Sequence, residues 1–299
     1  MNKIPVFGTV SRAYGFLLGE FGTIFRLAWA PLLIGAALNF YYGGAAVDAA
    51  INAKTDPAAV LAQGPANFLI GIAGFVLGVM VLVALLRIVI YGDRKPGLFV
   101  YLWFGVAEAR LVAVYFLLLI ALIALMFAGM LVFGVLAALA TAIPVLGIVV
   151  GIGAFVAVLA FFWMILRLTL IPAVVVAEKS LGVERSWELM KGNALRLFAV
   201  ILLVFLPFAL LTSGVAFAIL GNDFPPFPHI PGLGGDTAKP TPEEIRAVME
   251  HWQAGFLKSI RAHWTEFSVM GFVSNLIQLA LWAGVSGSAY TALAGEQHE

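Results

Sequence analysis

Cysteine is absent and charge is scarce: 299 residues carry 17 Lys or Arg, 16 Asp or Glu and 4 His. Without cysteine there is no disulfide, no thiolate metal site and no cysteine nucleophile, and the redox compartment leaves no trace. A net charge of +1, with no long basic block, argues against nucleic acid as a partner. Also missing are a Gly-x-Ser-x-Gly elbow, a P-loop and a dinucleotide fingerprint. His229, His251, His263 and His298 form no His-x-x-x-His pair and neighbour no carboxylate cluster in the sequence, so no metal or other cofactor is expected. Ser213-Gly214 and Ser286-Gly287 read as small packing residues rather than nucleophile sites, and an enzyme is not expected. Residues 1–20 hold Lys3 and Arg12 but no apolar run with a small-residue cleavage site, so no signal peptide is expected.

What is present is apolar surface. The chain is 63% hydrophobic and 11% charged, where a soluble domain has about 45–50% apolar and about 25% charged residues. This is the composition of an integral membrane protein: an all-α, polytopic helix bundle forming one domain over residues 1–299. Apolar runs place spans at about 21–42, 66–90 and 193–220, and a last one at about 266–293. The stretch between Arg110 and Arg167 has no charge at all. As one helix it would be about 84 Å long against a hydrocarbon core of about 30 Å. It must therefore fold into two spans, with Thr141–Pro144 as the turn, for six spans in all.

The connections are read from composition. Asn2–Glu20 reads as an interfacial helix with Val10, Tyr14 and Leu17 on one side, and Leu98–Arg110 as a second surface segment. Gly43–Pro65 reads as a polar loop because its Asp-Pro and Gly-Pro pairs mark turns, and Tyr91–Gly97 as an aqueous turn. An external loop with a helix is expected over 221–263. In it Thr241-Pro242-Glu243-Glu244 is a capping-box start, and Trp252 and Phe256 lie on the apolar face of the helix that follows. Gly74 and Gly78, and Gly147 and Gly151, have the spacing that lets helices approach closely, within the chain or between copies. Placing both termini in the cytoplasm puts 12 of the 17 Lys and Arg inside, against Lys54, Lys239, Arg246, Lys258 and Arg261 outside. The positive-inside rule selects that orientation.

The chain is organised around 178–207. Val183, Trp187, Met190 and Ala194 share one helical face, opposite Glu184, Arg185, Glu188 and Lys191. The spacing predicts a short amphipathic helix at the interface, capped by Ser180 and ended by Gly192, with Asn193 capping the span that follows. Ser186, Trp187, Leu189, Lys191, Gly192, Asn193 and Arg196 resemble the Ser-Trp-x-Leu-x-Lys-Gly-Asn-x-x-Arg segment of a superfamily of bacterial multi-pass proteins. That superfamily includes the membrane domain attached to some glycerophosphoryl diester phosphodiesterases and many uncharacterised inner-membrane proteins. The resemblance implies a fold and a location, and supplies no catalytic residues.

Two further patterns bear on function. Surface helix, span, outer connection and span recur, with Arg26-Leu27, Arg110-Leu111 and Arg196-Leu197 near the start of the odd-numbered spans. One reading is a threefold repeat over 1–95, 96–179 and 180–299; the other is chance recurrence of short pairs. In the last span Ser268, Asn275, Gln278 and Ser286 form a polar stripe, either a pathway or headgroup site or a set of helix-packing hydrogen bonds. Arg87 and Arg167, at the inner ends of even-numbered spans, either contact lipid phosphate or snorkel to water. The expected role is non-enzymatic: lipid binding or scaffolding at the membrane interface, with membrane lipids, protein partners or further copies of the chain as partners. The alternative is a transporter of a lipid or small amphiphile.

Overall fold

The computed structural model describes residues 2–53, 55–93, 100–228 and 241–295. Lys54 and residues 94–99, which include Arg94, Lys95 and the end of the expected Tyr91–Gly97 turn, lie outside the described residues, as do 229–240 of the external loop, with His229 and Lys239, and also His298. Among the described residues there is no strand. The helices are α1 Val6–Gly19, α2 Phe21–Ile51, α3 Pro57–Tyr91, α4 Val106–Ala142, α5 Pro144–Leu168, α6 Ile171–Glu178, α7 Val183–Leu189, α8 Ala194–Leu220, α9 Pro242–Ala262 and α10 Trp264–Ala294. Among the described residues six spans are long and apolar enough to cross a membrane: α2, α3, α4, α5 with α6, α8 and α10. The chain is an all-α, multi-pass integral membrane protein.

Several local expectations are corrected. Gly43–Pro65 is not a loop: α2 continues to Ile51, α3 begins at Pro57, and Pro65 lies within α3. The Asp-Pro pair marks a helix start, since Asp56 Oδ1 accepts the Ala59 N–H at 3.1 Å and proline suits the first turn. At 35 residues, α3 is about 52 Å long and extends beyond the hydrocarbon. The second surface segment is also shorter than expected, because α4 begins at Val106 and takes Glu108 and Arg110 into its first turns. The break between the third and fourth spans falls at Ile143, inside the expected turn. Gly182, not Ser180, caps α7, with φ 74°. Helix–span–span order is found at α1–α2–α3 and, with α9 inserted, at α7–α8–α10, whereas the middle third enters α4 directly.

The chain groups into two compact units. Unit one comprises Met1–Leu27, Val79–Phe205 and Leu279–Glu299, and unit two comprises Ala28–Gly78 and Leu206–Gln278.

In unit one a core of Ile24, Leu85, Leu86, Leu111, Leu170, Leu197 and Leu281 is fully or nearly fully buried. The close helix approaches are not at the expected glycines, since a Cβ at Gly74, Gly78, Gly147 or Gly151 would meet nothing within 4 Å. In unit one they occur in α10, where a Cβ at Gly284 would come within 2.9 Å of Ala13 Cα and one at Gly287 would collide with Val89. Gly284→Leu is therefore expected to force α1 outward and cost about 1–3 kcal/mol, read as a lower midpoint in denaturant unfolding in detergent. α4 and α5 pack against each other, and none of the most apolar window of the fourth span is buried. Phe116, Met130 and Phe155 on this hairpin are exposed.

Unit two is finished by α9. Its start is the expected capping box: the Glu244 N–H donates to Thr241 Oγ1 at 3.2 Å, and the Thr241 N–H to Glu244 Oε2 at 2.8 Å. Trp252 and Phe256 stack with ring centroids 5.4 Å apart, and Trp252 also lies parallel to Phe227. Phe224 meets both rings of the first pair, so α9 is docked on the segment after α8. His263 Nε2 lies 2.9 Å from Asp223 and Nδ1 lies 3.9 Å from Glu266. This histidine does face carboxylates, one of them distant in sequence and so invisible to spacing.

Candidate functional site

In unit one the end of α3, residues 100–105, the start of α4 and the end of α6 enclose an open cavity of about 750 Å³. Arg87 and Tyr91 come from the last turns of α3, Trp103 from the segment before α4, Arg110 from α4, and Lys179 from the residue after α6. Val106 and Ala107 line it too, so the N-terminus of α4 borders the cavity with its unpaired N–H groups and positive dipole end. Lys179 is the one non-glycine residue with positive φ among the described residues, at 54°. Glycine would suit that backbone better, but lysine brings an ammonium group to the rim.

Arg87 is held from behind. Glu108 is fully buried, with Oε1 3.4 Å from the Arg87 guanidinium and Oε2 accepting the Gly105 N–H at 3.0 Å. Gly105 leaves room for this, because a Cβ there would lie 3.0 Å from the Trp103 indole nitrogen and 3.1 Å from Glu108 Oε2. Glu108 uses only part of a guanidinium that has five N–H donors, so Arg87 is oriented and keeps donors for the cavity. Burial, and then the Glu108 charge, push the Tyr101 hydroxyl above its ordinary range, with Arg87 opposing. The Tyr91 hydroxyl donates to the Ala177 carbonyl at 2.9 Å and lies 3.3 Å from that of Val176, which draws carbonyl acceptors out of the wall. Among the described residues the lining thus sets three cations and a helix N-terminus against one anion, Asp93. Arg87 and Arg110 are half-buried, and Trp103 and Tyr91 are exposed at the mouth. Such a cavity can receive a phosphate, with interfacial aromatics beside it.

Arg167 is placed differently. Its guanidinium carbon lies 4.5 Å from the Trp187 ring centroid and 5.8 Å from that of Trp163, and it does not line the cavity. The other motif residues explain a corner of the fold. Ser186 Oγ donates to the Arg167 carbonyl at 2.8 Å. Asn193 Oδ1 accepts the Ile4 N–H and its Nδ2 donates to the Asn2 carbonyl, both at 3.1 Å. Arg196 donates to the Ile4 carbonyl at 3.3 Å. Gly192 has φ 74°, the left-handed turn the sequence calls for between α7 and α8. The buried face of α7 is Ser186 and Met190, while Val183, Trp187 and Lys191 are exposed. Val183 and Trp187 are therefore not buried with Met190, and that face is rotated by about one position from the expected one, because Ser186 turns inward to bond.

The polar stripe divides. Ser268 and Ser286 donate to their own helix, at the carbonyls of Trp264 and Trp282. Asn275 and Gln278 are exposed; in unit two Asn275 and Ser268 line a separate cavity of about 250 Å³. Sequence reasoning found Arg87 but missed Glu108, Trp103, Arg110 as a cavity residue, and Lys179. The available signal was an acid three residues after Gly105 at a helix start; nothing local pairs it with Arg87. The chain matches no protein-family model, no curated protein and no solved structure.

Proposed function

We propose that this is a non-enzymatic integral protein of a bacterial inner membrane, with cytoplasmic termini, that binds the phosphate of an anionic lipid in the unit-one cavity. The observation that supports this is the convergence of Arg87, Arg110 and Lys179 with the α4 N-terminus on one open cavity bordered by Trp103 and Tyr91. Cations and a helix N-terminus both favour an anion, and fixed aromatics favour the headgroup depth. The Ser186–Arg196 motif fits a member of the superfamily it resembles, with the motif shaping the corner rather than touching ligand.

The test is native mass spectrometry of protein released from its own membrane, with bound lipids compared with bulk. Anionic phospholipid is expected to be enriched. A Lys or Arg near a membrane surface contributes about 1 kcal/mol to anionic-lipid attraction. Arg110→Gln with Lys179→Gln should therefore lower that enrichment about 30-fold. Bulk-proportion lipid on the wild type, or equal enrichment on the double variant, would remove the basis of the proposal. The second reading, transport of a lipid or small amphiphile, is favoured by the uncharged polar cavity of unit two. It expects Asn275→Ala with Gln278→Ala to abolish lipid transfer between leaflets of proteoliposomes.

A further inference from the structure

The 250 Å³ cavity of unit two stands apart from the phosphate reading, because no charged side chain among the described residues lines it. α2 contributes Pro31 and Asn39, α3 Gly74, and α10 Ser268, Gly271 and Asn275. Its glycines hold space open: a Cβ at Gly74 or Gly271 would meet nothing within 4 Å. The cavity is held by fixed groups, because the Trp264 indole donates to the Phe40 carbonyl at 3.0 Å and Arg261 pairs with Asp48 at 2.7 Å. A Cβ at Gly43 would strike Asn39 and approach the Trp264 ring to 3.0 Å, so glycine is what admits the indole there.

Two amides face this space without partners. Asn39 and Asn275 are exposed and make no side-chain hydrogen bond among the described residues, whereas Ser268 is satisfied within α10. Both amides belong to helices that cross the membrane, where polar groups need an internal partner. An amide offers both a donor and an acceptor, which matches a hydroxyl group. A phosphate or ammonium would be stripped of water with no opposite charge to meet it, and a purely apolar guest would leave both amides unpaired. The volume exceeds the ~150 Å³ void that accepts benzene and falls below the ~300–1,000 Å³ of pockets that enclose a whole drug-sized ligand. It suits a head and not tails, and its lining comes from helices long and apolar enough to span the bilayer.

We infer that this cavity binds the uncharged, hydroxyl-bearing head of a neutral lipid of the diacylglycerol type, whose acyl chains remain in the bilayer. The full chain in nanodiscs is incubated with dioleoylglycerol, triolein, dioleoylphosphatidylglycerol or free glycerol, and adducts are read by native mass spectrometry. Gly271→Leu fills open space and Asn275→Leu removes the amide at similar size. Each is expected to cut the dioleoylglycerol adduct about tenfold and to leave the phosphatidylglycerol adduct unchanged, which also reports an intact fold. An adduct with free glycerol that Asn275→Leu removes would support the same chemistry with a soluble polyol as its source. Triolein, which lacks the hydroxyl, binding as well as dioleoylglycerol would overturn the inference. So would dioleoylglycerol adducts that neither variant changes.

Discussion

Glu108→Ala is expected to destabilise the protein by about 3 kcal/mol, the lower end of the cost of breaking a buried ion pair. The carboxylate is fully buried, while the Arg87 side chain keeps 22% exposure, so solvent relieves part of the stranded charge. Two losses combine: the Arg87 guanidinium loses its counter-charge, and the Gly105 N–H at the start of α4 loses its acceptor. Replacing both partners, Arg87→Met with Glu108→Leu, should recover most of the stability because no uncompensated charge remains. Denaturant unfolding in mixed micelles reads both. If the single and double variants lose the same stability, the pair is not what Glu108 provides. The same substitution frees Arg87 to rotate, so loss of lipid selectivity should accompany loss of stability in Glu108→Ala.

Asn193→Ala is the second large effect, expected at about 1–3 kcal/mol and confined to the corner between α7 and α8. Asn193 is 3% exposed and Ile4 is 0% exposed. The substitution strands the buried Ile4 N–H at the ~1–3 kcal/mol cost of an unsatisfied buried group, while the carbonyl of the exposed Asn2 can turn to water. Asn193→Asp keeps the acceptor for Ile4 but sets a carboxylate against the Asn2 carbonyl, so it should fall between. Arg196→Ala removes one longer bond from an exposed residue and should cost under about 1 kcal/mol. Hydrogen exchange at Ile4 is the local probe: it should accelerate strongly in Asn193→Ala and little in Arg196→Ala. Equal protection in both would contradict the clamp.

How much of this was legible depends on how local each signal is. The capping box at Thr241 and the break between the third and fourth spans were readable because one is a four-residue motif and the other follows from helix length against bilayer thickness. The region after Gly43 reads as loop when Asp48, Asp56 and the Asp-Pro and Gly-Pro pairs are weighed over a run rich in Ala45, Ala46, Ala49 and Ala50, the best helix former. Asp48 is tolerated there because Arg261, distant in the chain, pairs with it. The glycine pairs were taken for helix contacts, yet spacing alone cannot tell a glycine that admits a neighbour, such as Gly284, from one that leaves space, such as Gly271. The Asn193 and Arg196 tethers end on backbone groups of residues 2–4, and backbone groups leave no mark in a sequence. The basic cavity joins three separate stretches. Only Arg87 stood out, as a charge at a helix end, and its partner Glu108 looked like an ordinary surface acid.

The central claim, that the unit-one cavity holds a lipid phosphate, is tested most directly by locating the headgroup. The full chain in nanodiscs is exposed to phosphatidylglycerol carrying a photoreactive group on its glycerol head, irradiated, digested, and the labelled peptides are sequenced. The account predicts labelling concentrated at 87–93, 103–110 and 176–179, and lost when Arg110 and Lys179 are both Gln. Labelling spread along the exposed, apolar α4–α5 hairpin, or unchanged in that double variant, would contradict it.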